Sequence, residues 1–190
     1  MQDVQRRVGA SLAGCILFGV VSAAVADDGV ADIVNFREYS ETFASAGQPT
    51  EAQLEAVRDA GYDRVVYVAY SDQRNSLEHE DRIVKGLGME YAHIPVEWEA
   101  PTAADFELTA AAIRSNAGGK TLLHCQVNYR ASAFSFLYRV LYEDVPVSEA
   151  KADMNSVWTP NETWRDLIFE VLEARGVSPD CENCDWSVGE

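Results

Sequence analysis

Thr121-Leu122-Leu123-His124-Cys125-Gln126-Val127-Asn128-Tyr129-Arg130-Ala131-Ser132 is the stretch on which the reading of this chain turns. Its first residues are apolar and β-prone, the pattern of a strand covered on both faces. From Ala131 to Tyr142, Phe134, Leu137, Val140 and Leu141 recur at helical spacing. The pattern predicts a strand over 120–125, a tight loop, and a helix over 130–143. A Cys leaving such a strand faces the first turn of a helix, whose N–H groups lack intrahelical partners and carry positive potential. Both favour thiolate over thiol. The same N–H groups, curled into a nest, suit a tetrahedral anion. Arg130 at the helix start can add a two-pronged hydrogen bond to that anion.

His-Cys, a short loop, Arg and then a hydroxyl residue resembles the signature of the cysteine-dependent protein tyrosine and dual-specificity phosphatases. The resemblance implies that Cys125 is a nucleophile that forms a cysteinyl-phosphate. It implies that Arg130 clamps the phosphate and that Ser132 helps the thiolate leave. Gln126, Val127, Asn128 and Tyr129 would line the anion, and the substrate would be a phosphorylated small molecule or a phosphoprotein. The chain departs from the family in one respect. The family places five residues between Cys and Arg, usually with a Gly; this chain places four, without Gly, and has Ala131 at the usual Arg position. Asn128 is the loop residue best able to take a left-handed backbone in place of Gly. A loop this short also resembles the rhodanese sulfurtransferases, in which Cys125 would carry a persulfide. Two plainer readings stand beside these: a non-catalytic anion-binding loop, and an inert buried thiol near a surface Arg.

The remaining chain supplies context. It has 190 residues, four Cys and a formal charge of −16, a length that suits one domain with a substantial core. Arg6 and Arg7 precede an uncharged run from Val8 to Ala26 that closes on Ala24-Val25-Ala26, the form of a secretory signal peptide over 1–26. A periplasmic or secreted protein is expected. The run is also long enough to be a membrane anchor. Leu12-Ala13-Gly14-Cys15 resembles a lipobox; contact with a membrane is expected only if Cys15 is lipidated. Loss of Asp3, Arg6 and Arg7 with the leader leaves 13 basic and 30 acidic residues, a net −17. That balance opposes nucleic acid as a partner and requires that an anionic substrate be drawn by a local site.

Residues 27–45 read as an N-terminal segment, with Val34 to Phe36 as a short strand. The domain is expected over 46–176. Gly47-Gln48-Pro49-Thr50 is a turn, and Thr50 caps a helix through Gly61; this turn and helix resemble the opening of a bacterial branch of phosphatase-like domains. Arg64 to Tyr70 and Tyr91 to Val96 read as strands, with a helix between them capped by Ser76. In the phosphatase family the loop after the second of these strands carries an Asp that protonates the leaving group. Here Trp98 stands at the closest position, and Glu97 is the favoured candidate ahead of Glu99 and Asp105. Thr102-x-x-Asp105 also matches a capping pair for a helix to Ala117. Ser148 and Thr159-Pro160 open two more helices, and Asn155 is a candidate positioning group. Alternating strands and helices predict an α/β domain, a mainly parallel central sheet flanked by helices. The three His are scattered and no Gly-rich nucleotide loop is present, so neither metal nor cofactor is expected. The tail over 177–190 holds Cys181-x-x-Cys184, which in an exported protein reads as a disulfide and leaves Cys125 unpaired.

Overall fold

The computed structural model describes residues 29–182 and 184–188; residues 1–26, read above as a signal peptide, and with them Cys15, lie outside these. Five strands form one sheet: β1 (Arg37–Ser40), β2 (Phe43–Ala46), β3 (Arg64–Tyr67), β4 (Glu90–His93) and β5 (Thr121–His124). Their order is β1-β2-β5-β3-β4, parallel throughout except that β1 runs antiparallel to β2. The central strand is therefore β5, all four of its residues buried. Helices α1 (Glu51–Asp59) and α2 (Glu80–Gly86) cover one face around Leu54, Val57, Val65, Val84 and Leu122. The opposite face carries α3 (Ala103–Arg114), α4 (Tyr129–Tyr142), α5 (Val147–Asn155) and α6 (Glu162–Ala174), packed around Phe106, Leu123, Phe134, Leu137, Trp164 and Ile168. This is the α/β architecture expected, with helices on both faces of a mostly parallel sheet.

Local chemistry explains where the helices begin. Thr50 forms a capping box with Gln53 at α1, and Thr102 forms one with Asp105 at α3; each satisfies two N–H groups that the first turn would leave unpaired. Other expected caps differ. α2 begins at Glu80 behind His79, whose backbone is left-handed, and Ser76 instead hydrogen-bonds Tyr67 and the Tyr70 carbonyl. Pro146, not Ser148, precedes α5, and Asn161, not Thr159, caps α6 by accepting from the Trp164 N–H. Val34 to Phe36 is not a strand. Residues 37–45, read from the sequence as part of the N-terminal segment, supply β1 and, with Ala46, β2, and β2 pairs directly with β5.

The tail folds back onto the domain. Cys181 and Cys184 form a disulfide, and Trp186 packs edge-on against Phe136 and Phe169 with Lys151 Nζ 4.7 Å from its ring centre. Among the described residues no helix is long and apolar enough to cross a membrane, and no group of three or more His, Cys, Asp or Glu is placed to hold a metal ion.

Candidate active site

Cys125 follows β5 directly, so it stands at the carboxyl end of the central parallel strand, where open α/β sheets bind their ligands. It is free and 1% exposed. Its N–H donates to the Ala46 carbonyl at 3.2 Å. The loop beyond it is held by the turn after β2. The Gln48 N–H donates to the Gln126 carbonyl at 3.1 Å, and the Gly47 N–H to the Val34 carbonyl at 2.7 Å. A Cβ on Gly47 would come within 3.0 Å of that Gln126 oxygen and 2.9 Å of Val34 Cβ, so only glycine fits this approach.

Asn128 takes the left-handed conformation at φ 71°, as the missing Gly required, and turns the chain into α4. It is fully buried; its Nδ2 donates to the Asn35 carbonyl at 2.6 Å, and Asn35 Nδ2 donates to the Val127 carbonyl at 3.0 Å. The Asn128 Oδ1 has no hydrogen-bond partner among the described residues. The N–H groups of Gln126, Val127, Tyr129, Arg130 and Ala131 likewise meet no protein acceptor among the described residues. A run of free N–H groups around a left-handed residue at a helix start is the nest an anion requires.

Arg130, 9% exposed, lies in the first turn of α4, next to this nest in the chain. Its Nε donates to the Val96 carbonyl at 3.1 Å, and its Cζ lies 5.1 Å from the centre of the Trp98 ring. Trp98 is held in turn by Trp164, whose Nε1 donates to the Trp98 carbonyl at 3.0 Å. Tyr129 stacks on Trp158 with centres 4.8 Å apart. Val96 to Trp98 thus brings Trp98 and the candidate Glu97 beside Arg130.

The other sequence candidates are placed as follows. The Ser132 hydroxyl, fully buried, donates to the Tyr129 carbonyl and accepts from Trp158 Nε1, both at 3.1 Å. The Gln126 side chain points away from the nest to the Tyr67 hydroxyl and Ser76. Glu97 is exposed and accepts from the Trp98 N–H at 2.9 Å. Glu99 is exposed in the same loop. Asp105 is occupied at the cap of α3. Asn155 lines a surface hollow with Lys151 and Cys184. The sequence analysis did not single out Trp158 or the Gly47–Gln48 clasp on the loop; the Gly-Gln-Pro-Thr turn was the available signal for the latter.

No protein-family model and no curated protein matches the sequence. Solved structures do match. A "Putative phosphatase (DUF442)" from Shewanella putrefaciens CN-32 superimposes with a TM-score of 0.70 at 29% identity over 76% of this chain and 95% of that one. PTPMT1 in complex with PI(5)P gives 0.63 at 16% identity over 75% and 99%. A Cys-to-Ser variant of P. aeruginosa TpbA in complex with pTyr gives 0.56 at 16% identity over 75% and 91%. The last two share the fold; the first shares fold and appreciable sequence. In signature and architecture together the chain resembles the cysteine-dependent, protein tyrosine phosphatase-like structures, and it has their fold.

Proposed function

We propose that this protein is an exported cysteine-dependent phosphatase that hydrolyses a phosphate monoester through a phosphocysteine at Cys125. The observation that carries the reading is the convergence of Cys125, the free N–H groups of residues 126, 127 and 129–131 and the buried Arg130 on one loop at the end of β5. A phosphoryl group in transfer spreads charge over three equatorial oxygens, and fixed N–H donors with a planar guanidinium meet that need. Attack by the Cys125 sulfur forms the S–P bond and breaks the ester P–O bond. The departing oxygen takes a proton from Glu97, the carboxylate next in sequence to the carbonyl that holds Arg130. Water then attacks the phosphorus, giving one proton back to Glu97; the S–P bond breaks, phosphate leaves and the Cys125 thiolate is restored.

Support for the substrate class comes from the solved relatives, one holding a phosphoinositide and one phosphotyrosine. The leader-like residues 1–26 and the Cys181–Cys184 disulfide support export.

The test compares hydrolysis of a small aryl phosphate with sulfur transfer from thiosulfate to cyanide. It uses the wild type, Cys125→Ser and a variant with one Gly inserted between Asn128 and Tyr129. Phosphate turnover lost in Cys125→Ser and raised by the insertion is expected. Sulfur transfer alone, lost in Cys125→Ser, would make the chain a sulfurtransferase, and inactivity in both assays would leave an anion-binding module.

A further inference from the structure

On the α1–α2 face of the sheet, behind the loop, lies a carboxyl group that this reaction does not use. Glu80 opens α2 and is 4% exposed. Its Oε1 accepts from Gln48 Nε2 at 2.8 Å and its Oε2 from the Tyr91 hydroxyl at 3.3 Å. The same Oε1 lies 3.3 Å from His124 Nε2, at ion-pair distance but off hydrogen-bond geometry, so neither ring nitrogen of the fully buried His124 has a hydrogen-bond partner among the described residues.

The titratable groups around Glu80 are His124 from β5, Tyr91 and His93 from β4, Tyr67 from β3, and its own helix's Asp81 with the preceding Glu78 and His79. Among the described residues no Lys or Arg stands within ion-pair distance of it. A buried carboxyl without a cation favours its neutral form. Burial accordingly pushes Glu80 up to about 7 and His124 down to about 3.

Two routes connect Glu80 to the nucleophile. The Gln48 that it holds by the side chain grips the Gln126 carbonyl with its backbone N–H. Tyr67 stacks on His124 at 4.7 Å, hydrogen-bonds Gln126, and lies within electrostatic reach of both Glu80 and Cys125.

We propose that Glu80 is a positioning residue for the nucleophile loop: as the neutral acid it anchors Gln48 and so Gln126, and once ionised it places behind Cys125 a negative charge that opposes charge on the sulfur and an arriving anion. The inference rests on the phosphatase reading only in taking Cys125 as the reacting group. Its predicted signature is reactivity that lags above neutral pH.

The experiment is the rate of Cys125 alkylation by iodoacetamide in the full chain with its disulfide intact, for wild type, Glu80→Gln, Glu80→Met and Glu80→Asp. Glu80→Gln keeps an oxygen for Gln48 and cannot ionise. Near pH 5.5, wild type and Glu80→Gln should react within about twofold of each other; near pH 8, Glu80→Gln should react about tenfold faster, the size of one nearby like charge. Glu80→Met, which cannot ionise but also drops the bond to Gln48, should share the shape of the Glu80→Gln pH profile at an overall rate shifted by loss of that anchor, which keeps the test available if one variant fails to fold. Glu80→Asp, which still titrates, should follow the wild type. Matching profiles for the wild type and the uncharged variants would overturn the proposal, as would a Cys125 that no form alkylates. Failure of the phosphatase reading shows separately, as absent aryl phosphate turnover, which these rates do not require.

Discussion

Arg130 and Trp98 are locked as guanidinium over indole, the Cζ 5.1 Å from the ring centre, while Arg130 Nε is bonded to the Val96 carbonyl two residues earlier. One short loop therefore sets both the plane and the direction of the arginine before any anion arrives. Preorganised donors of this kind stabilise developing charge without reorganising during the reaction.

Arg130→Lys retains the charge but loses the fork and the Nε donor. Turnover of an aryl phosphate should fall about 100-fold. Because Arg130 is buried and satisfies the Val96 carbonyl, stability should also drop, by about 1 kcal/mol. Steady-state kinetics and urea denaturation on the same preparations check both parts. A lysine variant with unchanged kcat/KM would remove Arg130 from the clamp.

Trp98 separates support from packing. Trp98→Ala removes the ring under the guanidinium and opens a gap against Trp158 and Trp164, with an expected stability cost of about 3 kcal/mol. Trp98→Phe keeps an aromatic face, and should hold KM for aryl phosphate within about tenfold of the wild type. Should Phe behave like Ala in KM while folding normally, the ring would have no part in orienting Arg130.

Asn128 tests the shortened loop. At φ 71°, Asn128→Gly relieves any strain whereas Asn128→Ala imposes it, and both lose the bond to Asn35. Ala should be less stable than Gly by about 1 kcal/mol. Urea denaturation of the pair measures the difference; equal stability would mean that the loop relaxes out of the left-handed turn.

The Glu80–His124 pair makes a prediction about acid stability. The ordinary values are 4.5 for Glu and 6.5 for His, against about 7 and about 3 in the folded chain. Between 4.5 and 6.5 the unfolded chain holds its proton on His124 and the folded chain holds one on Glu80. The counts match, and the pair adds no pH slope. Below 4.5 the unfolded chain binds a second proton and the folded one does not until about 3, so stability falls as pH falls. In Glu80→Gln the folded pair holds no proton, so the loss should begin at 6.5. That variant should lose about 2 kcal/mol more than wild type between these two pH values. Denaturant titrations at each pH read it directly, and parallel losses would contradict the assignment.

What the sequence disclosed is what local chemistry decides. The boxes at Thr50 and Thr102 lie within one helical turn, and the strand-loop-helix at Cys125 is contiguous. The left-handed Asn128 follows from the absence of Gly in a four-residue loop. β2 escaped notice because Phe43-Ala44-Ser45-Ala46 is buried at every position yet has little of the Val and Ile that mark a strand. Ser76 looked like a cap because nothing in sequence reveals Tyr67 and Gln126 waiting for its hydroxyl. The partnership of Glu80 with His124 spans 44 positions, and only the folded chain brings them together. Trp158 went unremarked because its place at the site depends on a face-to-face partner, Tyr129, at the start of α4.

The Gly47–Gln48 clasp has a consequence for the order in which the protein can be built. The loop is held by Val34 and Asn35, by residues 46–48, by Val96, and by its own α4. No segment shorter than residues 34–130 contains all of these contacts. Bringing together groups so far apart in sequence is slow, because chain entropy is lost before the contacts repay it. During refolding, protection of Cys125 by sulfate should therefore arrive with the final cooperative step, and an early compact species should carry an ordinary, unprotected thiol. Protection in the first compact phase would show that the cradle forms from its local stretch alone.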